Sequence, residues 1–220
     1  WSWEVADCSV PMTFDQYSRC SYRCVYCFSA YQRGKGRAGA SYFRSDVKAV
    51  DSKRIQRMFL QPDTSQFGPY VRAKMVMQWG GLSDPFDDYE REHGTGLELL
   101  HFFRQIEYPI CFSTKAVWWT QDPRYQEALR GAKHFNVKVS IITLNEAKAV
   151  KVEAGAPSVA ERLKAIEWIA NAGAGGATLR LRPFIIGVSS PTHSALIHSA
   201  ADAGATAMST EFFCMDTGDP

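Results

Sequence analysis

Three cysteines lie within a window of eight residues near the start of the chain, in the stretch RCSYRCVYCF. Cys20, Cys24 and Cys27 are separated by three residues and then by two. Thiols bunched in this way are more typical of a metal site than of a disulfide framework. A structural zinc ion takes four ligands, so a fourth would have to come from Cys8 or from a distant cysteine. A 4Fe-4S cluster on three thiolates would instead leave one iron open to an outside ligand.

The elements that position these cysteines alternate between apolar, β-rich runs and helical segments. We predict strands at residues 12–18, 74–80, 108–114, 135–144, 177–186 and 205–213. We predict helices at about residues 45–60, 89–106, 121–132, 158–172 and 192–203. In the fourth of these helices, Ser158 and Glu161 form a capping box at the start and Gly173 can end the helix.

Strand followed by helix, six times with short connections, predicts an α/β fold of parallel βαβ units with right-handed crossovers. Six units cannot complete the eight of a closed barrel, so an open partial barrel and a doubly wound sheet are the alternatives. In both, functional groups collect at the carboxyl ends of the strands. The cysteines directly follow the first strand, and Arg180 and Arg182 lie in the fifth.

The composition sets the broad class of protein. With 220 residues and 45% hydrophobic content, the chain is long enough for one well-buried domain and short for two. We therefore expect a single domain over residues 1–220, with residues 1–11 as a lead-in segment. The sequence has no apolar run of about 18 residues and no signal-peptide layout. We expect a cytoplasmic protein without a membrane partner.

Positive charge is concentrated beside the cysteines. Ten Lys or Arg and two Asp residues lie between residues 19 and 57, a net charge of +8, although the whole chain carries only +2. Aromatic residues are interleaved with these charges, an arrangement that suits nucleic acid. We take Arg33, Lys35, Arg37 and Arg44 as candidate nucleic-acid contacts. The alternative is an ordinary solvated basic surface.

The spacing Cys20-x3-Cys24-x2-Cys27, with Tyr26 before the third cysteine, resembles the signature of the radical S-adenosylmethionine (SAM) enzymes. The resemblance implies a partial (β/α)6 TIM-type barrel whose three cysteines hold a 4Fe-4S cluster. It implies that SAM chelates the open iron and that a flavodoxin or ferredoxin supplies one electron. SAM is then cleaved to a 5′-deoxyadenosyl radical, which takes a hydrogen atom from the substrate.

The same resemblance implies the SAM contacts. The backbone of Tyr26 would face the adenine, and Gly80 and Gly81 resemble the glycine pair that lines the SAM amine, where only glycine permits close approach. Leu82 stands where the common form of that motif has an acid. The role of that acid would then pass to Ser83 or Asp84.

Within the superfamily, the chain is most similar to the spore photoproduct lyase group. Three stretches carry this likeness: SDPFDDYERE, STKAVWWTQD and VSIITLNEAKAVKVEAGAPSVAERLKAI. They imply that Lys115 and Ser140 contact SAM, and Glu153 matches an acid of that group. The implied substrate is a thymine or other pyrimidine nucleotide in DNA. The implied enzyme is a lyase or isomerase that acts in repair, isomerisation or base modification.

The sequence also departs from that group and leaves other functions open. The lyase uses a cysteine as hydrogen donor between the cluster and the third strand, but residues 28–110 contain none, so Cys214 is our candidate. One alternative is a radical SAM enzyme acting on a peptide or small metabolite. Another is a zinc-stabilised nucleic-acid-binding module without catalysis. The sequence predicts no oligomeric state.

Overall fold

The protein folds around one six-stranded parallel sheet. The computed structural model describes residue 10 and residues 12–29 and 46–213. The strands of the main sheet lie in the order β1-β3-β4-β5-β7-β8. Their bounds are β1 Met12–Phe14, β3 Met77–Trp79, β4 Ile110–Thr114, β5 Phe135–Ser140, β7 Gly176–Phe184 and β8 Ala207–Phe212. A separate antiparallel pair consists of β2 (Arg23–Cys24) and β6 (Glu153–Ala154).

Helices connect the strands of the main sheet. They are α1 Ser52–Leu60, α2 Gly68–Arg72, α3 Asp88–His93, α4 Thr95–Gln105, α5 Pro123–Leu129, α6 Glu146–Val152, α7 Val159–Ala172 and α8 His193–Asp202, with 3₁₀ turns at Pro62–Thr64 and Trp118–Gln121. The sheet and these helices form a half-barrel, which confirms the predicted partial TIM-type α/β fold.

The two faces of the sheet differ in chemistry. The face toward the helices is apolar and buried, with Trp79, Phe112, Val137, Val139 and Leu179 all at most 1% exposed. On the opposite, concave face the alternate positions of β3, β4, β5 and β7 are polar (Gln78, Cys111, Ser113, Asn136, Lys138, Ser140, Thr178, Arg180). The helices therefore cover one face, and the other is the interior of the half-barrel.

The predicted elements differ from the observed ones mainly at their ends. The helix predicted from about residue 45 begins at Ser52, because the side chain of Asp51 accepts a bond from the Lys53 amide and caps it there. The helix predicted over 89–106 is broken at Gly94, which has φ +67°. The capping box of Ser158 and Glu161 and the left-handed Gly173 are confirmed.

Within the described ranges, no helix has the length and apolar character needed to cross a bilayer.

Candidate active site

The cysteine loop lies at the carboxyl end of β1. The structure shows Cys20, Cys24 and Cys27 as free thiols, with Cys24 buried and the other two half-buried. The Cys27 amide donates to the Cys24 carbonyl at 3.1 Å, which closes a tight turn. Cys24 itself lies in β2 and pairs with Glu153 of β6. This short antiparallel pair attaches the loop to the segment that follows α6.

The three thiols do not form a ready site for a single metal ion. In the part of the chain that the structure describes, no group of three His, Cys, Asp or Glu side chains is arranged so that it could hold one metal ion. An iron-sulfur cluster takes one thiolate at each of several irons, so its thiolates need not converge in this way. Three free thiols on one loop are a donor set that fits such a cluster.

Lys115, at the end of β4, lies among the groups of this loop. Its side chain is only 16% exposed, with Nζ 3.9 Å from Glu153 Oε1 and 5.7 Å from the centre of the Tyr26 ring. Burial acts to lower the pKa of Lys115, but Cys24, Glu153 and Asp84 outweigh it and leave the pKa raised. The sequence alone indicates an ordinary surface lysine at this position, whereas the structure shows a half-buried cation.

The thiols beside Lys115 have raised pKa values. Burial, followed by the carboxylates of Asp87 and Asp84, raises the pKa of Cys20, and Lys115 opposes that shift. Burial also raises the pKa of Cys24, again opposed by Lys115. Thiolates are the form that binds metals, so the Lys115 ammonium favours the binding-competent state of both cysteines.

Glu153 connects the cysteine loop to the body of the protein. It is 2% exposed, and its Oε1 accepts a hydrogen bond from the Tyr26 hydroxyl. Its Oε2 accepts from Arg162 Nη1 of α7 at 2.6 Å. The same Nη1 donates to the carbonyl of Ser140 at 2.8 Å. One buried ion pair thus joins the loop, α7 and the end of β5.

The loop after β3 is held by two carboxylates. Asp15 Oδ1 accepts from the amides of Leu82 and Ser83 at 2.9 and 2.7 Å, and from the Ser83 hydroxyl at 3.0 Å. Asp84 Oδ1 accepts from Thr114 Oγ1 at 2.7 Å and from the Phe86 amide at 3.0 Å, and its Oδ2 accepts from the Lys115 amide at 2.5 Å. The buried Asp84 therefore fixes the loop to the end of β4.

The two glycines of this loop have different roles. Gly80 has φ +79°, and a Cβ there would lie 2.6 Å from Pro85 Cδ and 3.0 Å from the Ser113 carbonyl oxygen. A Cβ on Gly81 would meet nothing closer than Asp15 Oδ2 at 3.9 Å. The fold therefore requires glycine at Gly80 and leaves room at Gly81, where close approach by a ligand would need a glycine.

Alanine substitutions should separate these two roles. We expect Gly80→Ala to destabilise the protein by about 1–3 kcal/mol, because it forces a side chain into the left-handed region against backbone atoms. We expect Gly81→Ala to stay within about 0.5 kcal/mol of the wild type. Urea unfolding of the two variants measures both values. Equal losses would show that Gly81 is also a structural requirement.

Asp87 ties the start of α3 to the cysteine loop. Its carboxylate is fully buried and accepts from the amides of Ser21 at 2.5 Å and Tyr89 at 3.1 Å. Burial, followed by the neighbouring charge of Asp84, raises the pKa of Asp87 from 3.8 to about 7. The folded protein therefore holds this proton to a higher pH than the unfolded chain does.

This shift predicts a pH dependence of stability. The contribution of Asp87 is complete below about pH 4 and is lost as the pH rises through about 7. Asp87→Asn loses one acceptor at every pH but cannot ionise, so its stability relative to the wild type should rise between pH 5 and pH 8. Urea unfolding at both pH values measures this, with Asp202→Asn on the surface as the control. Parallel pH profiles would contradict the buried-carboxyl account.

The remaining sequence-predicted residues divide between described and masked parts of the chain. Ser140 is buried at the end of β5, on the concave face. Cys214, Arg33, Lys35, Arg37 and Arg44 lie outside the described residues. Sequence reasoning missed Asp15, Asp87 and the role of Arg162. For Arg162 the signal was its position on the apolar stripe of α7, where a charge needs a buried partner.

Comparison with solved structures gives the relatives of this fold. A spore photoproduct lyase variant, with bound AdoMet and dinucleoside spore photoproduct, matches with a TM-score of 0.69 at 16% identity, over 93% of this chain and 57% of that one. SuiB of Streptococcus suis bound to S-adenosylmethionine matches with a TM-score of 0.65 at 15% identity, over 96% and 42%. The chain shares the fold of these two proteins.

The predicted likeness to spore photoproduct lyase is thus confirmed for the fold. SuiB bound to its precursor peptide SuiA matches with a TM-score of 0.63 at 15% identity, over 94% of this chain and 40% of that one. The chain spans between two fifths and three fifths of the length of these relatives. No protein-family model and no curated protein matches the sequence.

Proposed function

We propose that this chain carries radical SAM chemistry, with a 4Fe-4S cluster on Cys20, Cys24 and Cys27. The observation that carries the proposal is a loop with three free thiols at the carboxyl end of the sheet, beside the half-buried Lys115 ammonium. Likeness in fold to structures that contain bound SAM supports it. When bound, the cluster and SAM supply one-electron cleavage of the sulfonium carbon–sulfur bond and removal of a substrate hydrogen atom.

The chain's own residues bind and orient these groups in the proposal. Lys115 favours the thiolate forms of Cys20 and Cys24 and offers a point charge to the SAM carboxylate. Glu153 holds the phenol of Tyr26, and so the loop, against the body of the protein. Gly80, Gly81, Ser83, Asp84 and Ser140 are the further proposed SAM contacts.

Gly81 has the clearest physical argument among these contacts. It lacks a side chain although the protein leaves room for one. If the SAM amine approaches this backbone, Gly81→Ala should weaken SAM binding while leaving the fold intact. Ser83 and Asp84 are already bonded within the protein, so their SAM contacts stay predictions.

For the substrate, we propose a thymine or other pyrimidine nucleotide in DNA. The three sequence stretches similar to the spore photoproduct lyase group support this, as does the likeness in fold to a lyase that binds dinucleoside spore photoproduct. A peptide is the second candidate, because the likeness to SuiB bound to SuiA is nearly as close.

Transfer of a hydrogen atom from DNA to 5′-deoxyadenosine tests both the proposed reaction class and the proposed substrate. The reconstituted protein is incubated anaerobically with dithionite, SAM and DNA containing deuterated thymidine, either intact or ultraviolet-irradiated. We expect 5′-deoxyadenosine that carries deuterium, and none from Cys24→Ala. Unlabelled 5′-deoxyadenosine that forms equally without DNA would overturn the DNA substrate and favour the peptide. Absence of 5′-deoxyadenosine in protein that holds a cluster would overturn the reaction class.

A further inference from the structure

The concave face of the half-barrel carries more positive than negative charge. Lys138 on β5 and Arg180 and Arg182 on β7 lie on this face, and all three are half-buried. Among the described residues of β1, β3, β4, β5, β7 and β8, the acid on the same face is Glu211, which forms an ion pair with Arg182. Three cations therefore share one carboxylate.

Arg180 has no carboxylate partner within the described part of the chain. Its Nη1 donates to the Ser113 hydroxyl at 2.8 Å, and Glu211 contacts its neighbour Arg182 instead. Burial, followed by the charge of Arg182, lowers the pKa of Arg180 to about 10, while Glu211, Cys111 and Tyr26 oppose the shift. A guanidinium with this pKa is still charged at neutral pH, so its burial is a cost that an anion would offset.

Two more polar groups lie near Arg180. One is bonded to a neutral group, and the other has no hydrogen-bond partner among the described residues. Lys138 Nζ donates to the neutral Gln78 Oε1 at 2.9 Å. Ser209 is the β8 residue that pairs with Arg180, and its hydroxyl oxygen is buried without a hydrogen-bond partner among the described residues. Leaving a buried hydroxyl unpaired is unfavourable, so the site has donors to spare.

We propose that this face binds a phosphate group of the substrate, through Arg180 with Lys138, Arg182 and the hydroxyls of Ser113 and Ser209. The proposal rests on the proposed function and gives its substrate a chemical class. Guanidinium groups bind oxyanions through two parallel hydrogen bonds. Donors on four strands suit the several oxygens of a phosphate better than the two of a carboxylate. Arg180 pairs with Ser140 at the carboxyl end of β5, the same edge of the sheet at which the cysteine loop follows β1.

A charge-matched pair of ligands tests this proposal. The probes are the dinucleotide TpT and its neutral methylphosphonate analogue, whose binding to the reconstituted protein with SAM is measured by calorimetry. We expect the wild type to prefer TpT by about 10-fold or more, with a preference that falls as salt rises. Arg180→Gln should remove that preference. Lys164→Gln, an exposed change on α7, should retain it.

A second variant and further binding measurements separate failure of the phosphate site from other outcomes. Arg182→Gln, at a position where the native side chain is 35% exposed, should reduce the preference if Arg180→Gln does not fold. Equal affinity of wild type for both probes would overturn the phosphate site, as would Arg180-dependent binding of a glutamate-rich peptide instead of TpT. A loss of SAM affinity in Arg180→Gln would also overturn it, since Arg180 would then serve SAM. The proposed reaction class fails separately, if no 5′-deoxyadenosine forms from SAM.

Discussion

Replacing Arg162 by methionine should destabilise the protein by about 3–5 kcal/mol, a large part of the stability of a single domain. Arg162 is 1% exposed and its Nη1 bonds both Glu153 and the Ser140 carbonyl. Without it, the carboxylate of Glu153 stays buried beside the Tyr26 hydroxyl, and the more distant Lys115 is the one cation left to it among the described residues. Urea unfolding measures the loss.

The matched control is Lys164→Met, an exposed change on the same helix, which should stay within about 0.5 kcal/mol. The double variant Arg162→Met/Glu153→Gln should recover part of the loss, because it removes the stranded charge together with its partner. A coupling energy of about 0.5–3 kcal/mol is expected for such neighbours. Additive losses would show that Arg162 and Glu153 do not act as a pair.

Replacing Lys115 by methionine should weaken SAM binding by about 10- to 100-fold, the range expected for losing a hydrogen bond to a charged group. Because Lys115 also lowers the pKa of Cys24, its loss should leave less thiolate at that cysteine. In metal-free protein, Cys24 should then react more slowly with iodoacetamide at pH 8. Calorimetry with SAM and mass spectrometry of the alkylated protein measure the two effects.

Lys133→Met serves as the control, since Lys133 is exposed near the start of β5, away from the cysteine loop. Unchanged SAM affinity in Lys115→Met would remove Lys115 from the proposed SAM site. Unchanged alkylation would show that its ammonium does not act on Cys24.

The fold was largely predictable because hydrophobic runs of strand length recur between helical segments. All six predicted strands occur, although β1 and β3 have only three residues each. The pair of β2 and β6 could not be predicted, because strands of two residues carry no periodicity. Helix α6 was also missed, although Asn145 caps its start, since its seven residues are too few for a clear pattern.

The site was predictable where spacing alone carries chemistry and not where it depends on tertiary contacts. The cysteine spacing predicted the loop that carries the site. Lys115 lies near that loop because both follow strands of the same parallel sheet. Burial of Glu153, in β6, depends on its bond from Arg162 of α7. Nothing in the sequence around Glu153 indicates that partner. Asp15 was missed for the same reason, because its bonds to Leu82 and Ser83 cross from β1 to the loop after β3.

The central claim is that three cysteines hold a cluster with one iron left open for SAM. Electron paramagnetic resonance of the anaerobically reconstituted and reduced protein, recorded with and without SAM, tests it most directly. The account predicts the signal of a reduced 4Fe-4S cluster that changes on addition of SAM and is lost in Cys20→Ala, Cys24→Ala and Cys27→Ala. A cluster signal that SAM leaves unchanged would contradict it. So would a protein that binds zinc at these cysteines and gives no signal.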